Sequence, residues 1–169
     1  MKRIIMLTFT GLLSLSSLSF AKQAEFDAAI EPVQMDPAVL TAADYKPGKL
    51  QHIVLFRYDE QVTQAKRNEV VHAFLALQQA CVRDGKPYII SIETGVQNSH
   101  EGVAHGFEDA FIVTLKSEGD RNYYVGQPFI NEPEYYDAAH QNFKDFVGPL
   151  LHKPIATTGV LVFDFKVKK

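Results

Sequence analysis

The chain has 169 residues, 46% of them hydrophobic and 22% charged, enough to bury one sizeable core and too few for two. Its formal charge of −3 offers no general pull on a polyphosphate. No aromatic-basic interleaving appears outside the terminal Lys166, Lys168 and Lys169, which read as a solvated tail, so nucleic acid is not an expected partner.

In chain order, residues 1–21 carry the pattern of a secretory signal peptide. Lys2 and Arg3 form a positive start, Ile4 to Leu18 an apolar stretch, and Ser19-Phe20-Ala21 a small-x-small cleavage site. The expectation is an exported protein, periplasmic or secreted, with no membrane attachment after cleavage; a retained N-terminal anchor is the alternative. No later run of about 20 apolar residues supplies a second span, and no Cys follows the cleavage site for lipid attachment. Cys81 is the only cysteine, so an intrachain disulfide is impossible. In an apolar helical stripe it reads as a buried small hydrophobe rather than a nucleophile. Residues 22–49, broken by Pro32, Pro37, Pro47 and Gly48, read as a leader arm or linker with one helical turn near Asp27. Such a segment either covers a pocket mouth or a neighbouring subunit, or spaces the domain from the signal region.

The domain spans residues 50–166. Alternation predicts a first strand over Leu50 to Tyr58, with His52, Val54, Phe56 and Tyr58 on one side and Ile53, Leu55 and Arg57 on the other. Thr63 then caps a helix whose apolar residues run from Ala65 through Val70, Phe74 and Leu77 to Val82, stopped by Arg83 to Pro87. Tyr88 to Val96 is the second strand. A loop rich in His, Asn, Ser and Gly leads to the third, where Phe107, Asp109, Phe111, Val113 and Leu115 share a side. Ser117 caps a short helix, Glu118 to Val125; Gly126-Gln127-Pro128 interrupts; a longer helix runs from Pro133 to Val147; and Gly159 to Val167 is the last strand. The order β-α-β-β-α-β predicts an α+β subunit of ferredoxin-like type, an antiparallel four-stranded sheet with both helices on one face. Apolar residues on both strand faces then require a second cover, for which another copy of the chain is the economical source, giving a homodimeric α/β barrel.

Four motifs in this order resemble the stress-responsive dimeric α/β-barrel (Dabb) family. They are HIVLFR at His52 to Arg57, EGVAHGFEDAFIVTLKSEGDRNYY at Glu101 to Tyr124, AAHQNF at Ala138 to Phe143 and VLVFDF at Val160 to Phe165. The resemblance covers Leu50 to Lys166 and implies the same subunit and homodimer. Members of that family range from stress-induced proteins without an assigned activity to plant polyketide cyclases resembling olivetolic acid cyclase. In the cyclases an acid/base His and a partnering Tyr work inside the subunit's pocket. The resemblance carries that His to His140, where Ala138 replaces the Pro of the more usual Pro-Ala-His, and the first-strand His to His52. Tyr124 is the nearest match to the Tyr, but Val125 to Asp137 intervenes before His140, so Tyr135 and Tyr136 stay open in its place. A third-strand pocket His of the cyclases corresponds to Asp109, a departure from their pattern.

Chemistry alone gives these residues meaning. A histidine of pKa about 6.5 gives and takes protons at neutral pH, and a Tyr or Asp in reach fixes its tautomer or polarises a carbonyl. His140, Tyr124 and Asp109 are the candidate catalytic set; His52, Val54, Phe56, Phe111 and Val113 are the candidate pocket lining. The structural alternatives are a satisfied His140 at a helix start and an Asp109 that bonds a loop N–H. His100, Glu101, His105, Glu108 and Asp109 cluster, but HEGVAH is one residue too long for the HExxH geometry, so neither metal nor cofactor is expected. Arg121 reads as a surface partner of Asp120 or an acidic loop. Phe129, Tyr135, Tyr136, Phe143 and Phe146 read mostly as helix-to-sheet packing, with Tyr123 or Tyr135 as a possible cavity rim. The functional expectation is an exported homodimer that binds a small apolar or aromatic molecule in a pocket. The alternatives are a polyketide-cyclase-like or lyase-type enzyme with a His acid/base, and a structural dimer without ligand.

Overall fold

The computed structural model describes residues 35–168; the signal peptide at 1–21 and the helical turn near Asp27 lie outside the described residues. Residues 35–46 are part of the domain's packing. A short helix α1 (Pro37–Leu40), capped by Asp36, buries Leu40. The chain then passes over the start of a later helix, α3 (Glu118–Val125), and satisfies its orphan donors: Glu118 and Gly119 N–H donate to the carbonyls of Lys46 and Tyr45 at 3.3 and 3.1 Å, and Asp120 N–H donates to Ser117 Oγ at 2.9 Å. A Cβ on Gly119 would sit 1.8 Å from the Ala42 carbonyl oxygen. Gly119→Ala is therefore expected to push residues 35–46 off the helix and cost about 2 kcal/mol or more, whereas Gly95→Ala, which meets nothing within 4 Å, leaves stability within about 0.5 kcal/mol. Urea unfolding of both variants checks this.

The first strand, β1 (Pro47–Phe56), alternates buried Leu50, His52, Val54 and Phe56 with half-buried Gln51, Ile53 and Leu55. Helix α2 (Gln64–Ala80) is capped by Thr63 and buries Val70, Phe74 and Leu77. It ends two residues earlier than its apolar pattern suggests, because Asp84 and Gly85 both take positive φ and fold β2 (Val82–Arg83) onto β3 (Lys86–Pro87) as a tight hairpin, leaving Val82 exposed. Strands β4 (Ser91–Val96) and β5 (Asp109–Ser117) follow, and α3 begins directly at the end of β5. The expected long helix from Pro133 divides. Pro133–Tyr135 makes one 3-10 turn, and α4 (Ala138–Val147) starts afresh because Asp137 Oδ1 accepts from the N–H groups of Ala139 and His140 at 2.8 and 3.1 Å. An Asp able to cap two donors is a stronger start than Pro133. Strand β6 (Val160–Lys166) closes the chain.

The sheet order is β4-β5-β1-β6, with every neighbour antiparallel. This is the ferredoxin-like α+β arrangement, with the last strand placed beside the first. The inner face packs an aromatic cluster: Phe74 stacks on Phe111 at 3.9 Å, and Phe143 meets Phe74 edge-on at 5.1 Å. On the outer face of β6, Leu161, Phe163 and Phe165 are 42%, 60% and 37% exposed.

Candidate functional site

The pairing of β1 with β6 sets a polarity gradient on the inner face: His52 lies opposite Asp164, Val54 opposite Val162, and Phe56 opposite Val160. Above these strands, between sheet and helices, is a cavity of about 630 Å³. Phe74 and Phe143 contribute to its aromatic wall, α3 supplies Arg121 and Val125, α4 supplies His140, Lys144 and Val147, and Gln127 to Phe129 border it from the break between the helices. A cavity of this size, mostly apolar with a few convergent polar groups, is the usual form of a small-molecule site.

The polar groups are ordered by one another. His52, buried, lies with Nδ1 2.6 Å from Asp164 Oδ1, and the Arg121 guanidinium donates to Asp164 Oδ2. Burial alone would raise the Asp164 carboxyl; the hydrogen bonds and charges of His52 and Arg121 outweigh it and hold Asp164 below its usual range. Arg121 also donates through Nε to Asn122 Oδ1 at 2.9 Å. It thus faces the cavity instead of pairing with Asp120, whose carboxylate is taken by Arg83 at 2.9 Å.

His140 sits in the first turn of α4, with Nδ1 2.5 Å from the Tyr124 carbonyl oxygen. A carbonyl only accepts, so Nδ1 carries the proton and Nε2 keeps its lone pair. Burial, then the charge of Lys144, pushes His140 down to about 3, leaving the imidazole neutral at ordinary pH. The Tyr124 ring stacks on His140 at 3.8 Å and meets His52 edge-on at 5.6 Å. Tyr124 does not reach the cavity wall; its hydroxyl is buried without a hydrogen-bond partner among the described residues, and burial raises it far above the usual phenol range, so it stays protonated. Asp137 secures the start of α4: Oδ2 accepts from Tyr88 Oη at 2.9 Å while Oδ1 caps the helix.

The structure thus gathers His52, Val54, Phe56 and His140 around one volume, with Tyr124 stacked on His140. Asp109 is elsewhere. It accepts a hydrogen bond from Tyr58 Oη at 2.9 Å and borders a separate depression with Arg67, His100 and Glu108. Phe111, stacked on Phe74 of α2, and Val113 are fully buried in the core and do not line the cavity. Tyr136 packs against Gly126, while Phe129 reaches the cavity rim. Sequence reasoning missed Asp164 and Lys144 and set Arg121 on the surface. The available signals were a single acid in VLVFDF in phase with Val160 and Val162, and the one-turn spacings Arg121–Val125 and His140–Lys144.

Sheet order, helices on one face and a histidine-bearing cavity define a ferredoxin-like α+β domain with a small-molecule-sized pocket. The model of the Stress responsive A/B Barrel Domain, Dabb, matches residues 50–167, and the chain belongs to that family. Solved structures agree on the fold. A protein of Arabidopsis thaliana is 21% identical with a TM-score of 0.55, covering 71% of this chain and 96% of its own. The hydroxynitrile lyase of Passiflora edulis is 20% identical with a TM-score of 0.55, covering 73% and 96%. A dimeric ferredoxin-like protein of unknown function from Jannaschia sp. CCS1 is 17% identical with a TM-score of 0.53, covering 71% and 100%. No curated protein matches the chain.

Proposed function

We propose that the protein is exported, to the periplasm or beyond the cell, as a homodimer that binds a small, largely apolar or aromatic molecule in the cavity between the sheet and helices α3 and α4. The observation that carries this reading is the graded wall: hydrocarbon from Val54, Phe56, Val160 and Val162, and a polar end made by His52, Asp164, Arg121 and His140. Such a wall holds an apolar body and orients its polar group. The dimer rests on the outer face of β6, where exposed Leu161, Phe163 and Phe165 need a cover, and on the dimeric description of similarly folded proteins.

Native mass spectrometry across small aromatic and polyketide-like compounds is expected to show saturable uptake of one molecule per chain on a dimeric species. Phe163→Glu is expected to yield monomer at micromolar concentration by light scattering. A wild-type protein that is monomeric there, or a cavity that takes up no compound of these classes, would overturn the corresponding half of the proposal.

A second reading, a lyase-type or cyclase-type enzyme, is favoured by one specific feature: His140 is held neutral with Nε2 unprotonated beside the cavity, the form a general base requires. The fold shared with a hydroxynitrile lyase is consistent with it. Turnover abolished in His140→Ala and retained when the exposed His72 is replaced would establish that reading; turnover unchanged by His140→Ala would remove it.

A further inference from the structure

Two helix faces meet at the cavity. Arg121 and Val125 lie one turn apart on α3, His140 and Lys144 one turn apart on α4, and all four line the wall. The Lys144 ammonium ties the helices together, donating to the carbonyl oxygens of Val125 at 2.9 Å and Gln127 at 2.8 Å. Those two bonds use neutral acceptors and leave a third N–H. Among the described residues Lys144 forms no ion pair. Its sequence neighbour Asp145 is exposed and accepts from Gln141 instead. Asp164, the acid on the wall, already has both oxygens matched by His52 and Arg121. A half-buried ammonium on an apolar wall thus has no counter-ion among the described residues and keeps an N–H that a ligand's anionic group can take.

Building on the binding reading above, we infer that the molecule taken by this cavity is a monocarboxylic acid, with its apolar or aromatic body against Val54, Phe56, Val160 and Val162 and its carboxylate against Lys144 and the Arg121 guanidinium. The helix dipole also favours a cation at the C-terminal end of α3, so Lys144 has a capping role as well. The test must read charge preference rather than stability.

Isothermal titration calorimetry at pH 7 with 4-pentylbenzoate and the matched 4-pentylbenzyl alcohol makes that measurement, since the two probes share a body and differ in charge. The acid is expected to bind about tenfold or more tighter, the size of one charge-assisted hydrogen bond. Lys144→Met is expected to bring the two within about threefold, with Lys144→Arg retaining the preference and Lys86→Met, at an exposed lysine of the β2–β3 hairpin, leaving it unchanged. If Lys144→Met fails to fold, Lys144→Gln, which removes the charge and keeps an N–H donor for the Val125 and Gln127 carbonyls, supplies the same reading, a reduced acid preference. Equal binding of acid and alcohol to the wild type overturns this inference and leaves the apolar pocket intact. A preference that survives both substitutions places the anion elsewhere and overturns it too. Uptake of neither probe overturns it together with the binding reading for aromatic bodies of this size.

Discussion

Phe74→Ala is expected to remove about 3–5 kcal/mol of stability, the range for deleting a buried aromatic ring. In a domain of this size that lowers Tm by roughly 10 °C or more. The ring is 1% exposed, stacks on Phe111 at 3.9 Å, and meets Phe56 at 6.0 Å and Phe143 at 5.1 Å. It thus joins α2 to two strands, β1 and β5, and to helix α4 at once, and no neighbour can collapse into the space without moving another ring. Phe74 also lines the cavity, so truncation enlarges the site as it loosens the core. Paired denaturation and ligand titration are expected to show both effects together. A loss below about 1 kcal/mol would mean that the aromatic cluster repacks freely.

Acid is expected to destabilise the protein through His140 before the low-pKa carboxylates titrate. Burial holds this imidazole at about 3, against 6.5 for a free side chain. Above pH 6.5 it is neutral in both folded and unfolded chains and contributes no slope. Below that, the unfolded chain binds a proton that the folded one refuses, so stability falls as pH drops from 6.5 towards 3, by up to about 1.4 kcal/mol per pH unit. Asp164, held below its usual range by His52 and Arg121, loses its contribution at still lower pH. Asp120, whose carboxyl burial raises, works in the opposite sense, so the comparison is between the wild type and His140→Phe. Urea midpoints between pH 6.5 and 4.5 are expected to slope downward in the wild type and to flatten in the variant, whose ring preserves the stack on Tyr124. Equal slopes would show that His140 titrates normally in the folded protein.

Much of the fold was legible because strand and helix periodicities are local. Alternation in Leu50 to Tyr58, Thr63 as a cap, and Ser117 followed by Glu118 to Val125 all depend on residues a few positions apart, and the structure repeats them. Errors fell at boundaries. The start of α4 moved from Pro133 to Ala138 because Asp137 competed as a cap, and the end of α2 moved because Asp84-Gly85 folded into a hairpin. The docking of residues 35–46 on α3 was illegible, since their carbonyls pair with donors more than seventy residues away.

The site divides in the same way. His52 and His140 could be named from the chain because proton chemistry near neutral pH belongs to the residue type, and the inward phase of His52 follows from strand alternation. Which acid stands beside His52 depends on the register of β6 against β1, a pairing between segments 112 residues apart, and this brings Asp164 to the histidine. By itself, then, the sequence determined the order of elements, the two apolar faces of the sheet and the chemical types available. Only the tertiary structure decided that Asp164, Arg121 and Lys144 share a cavity with both histidines while Asp109 serves Tyr58, because strand register and helix placement come from packing across the whole domain.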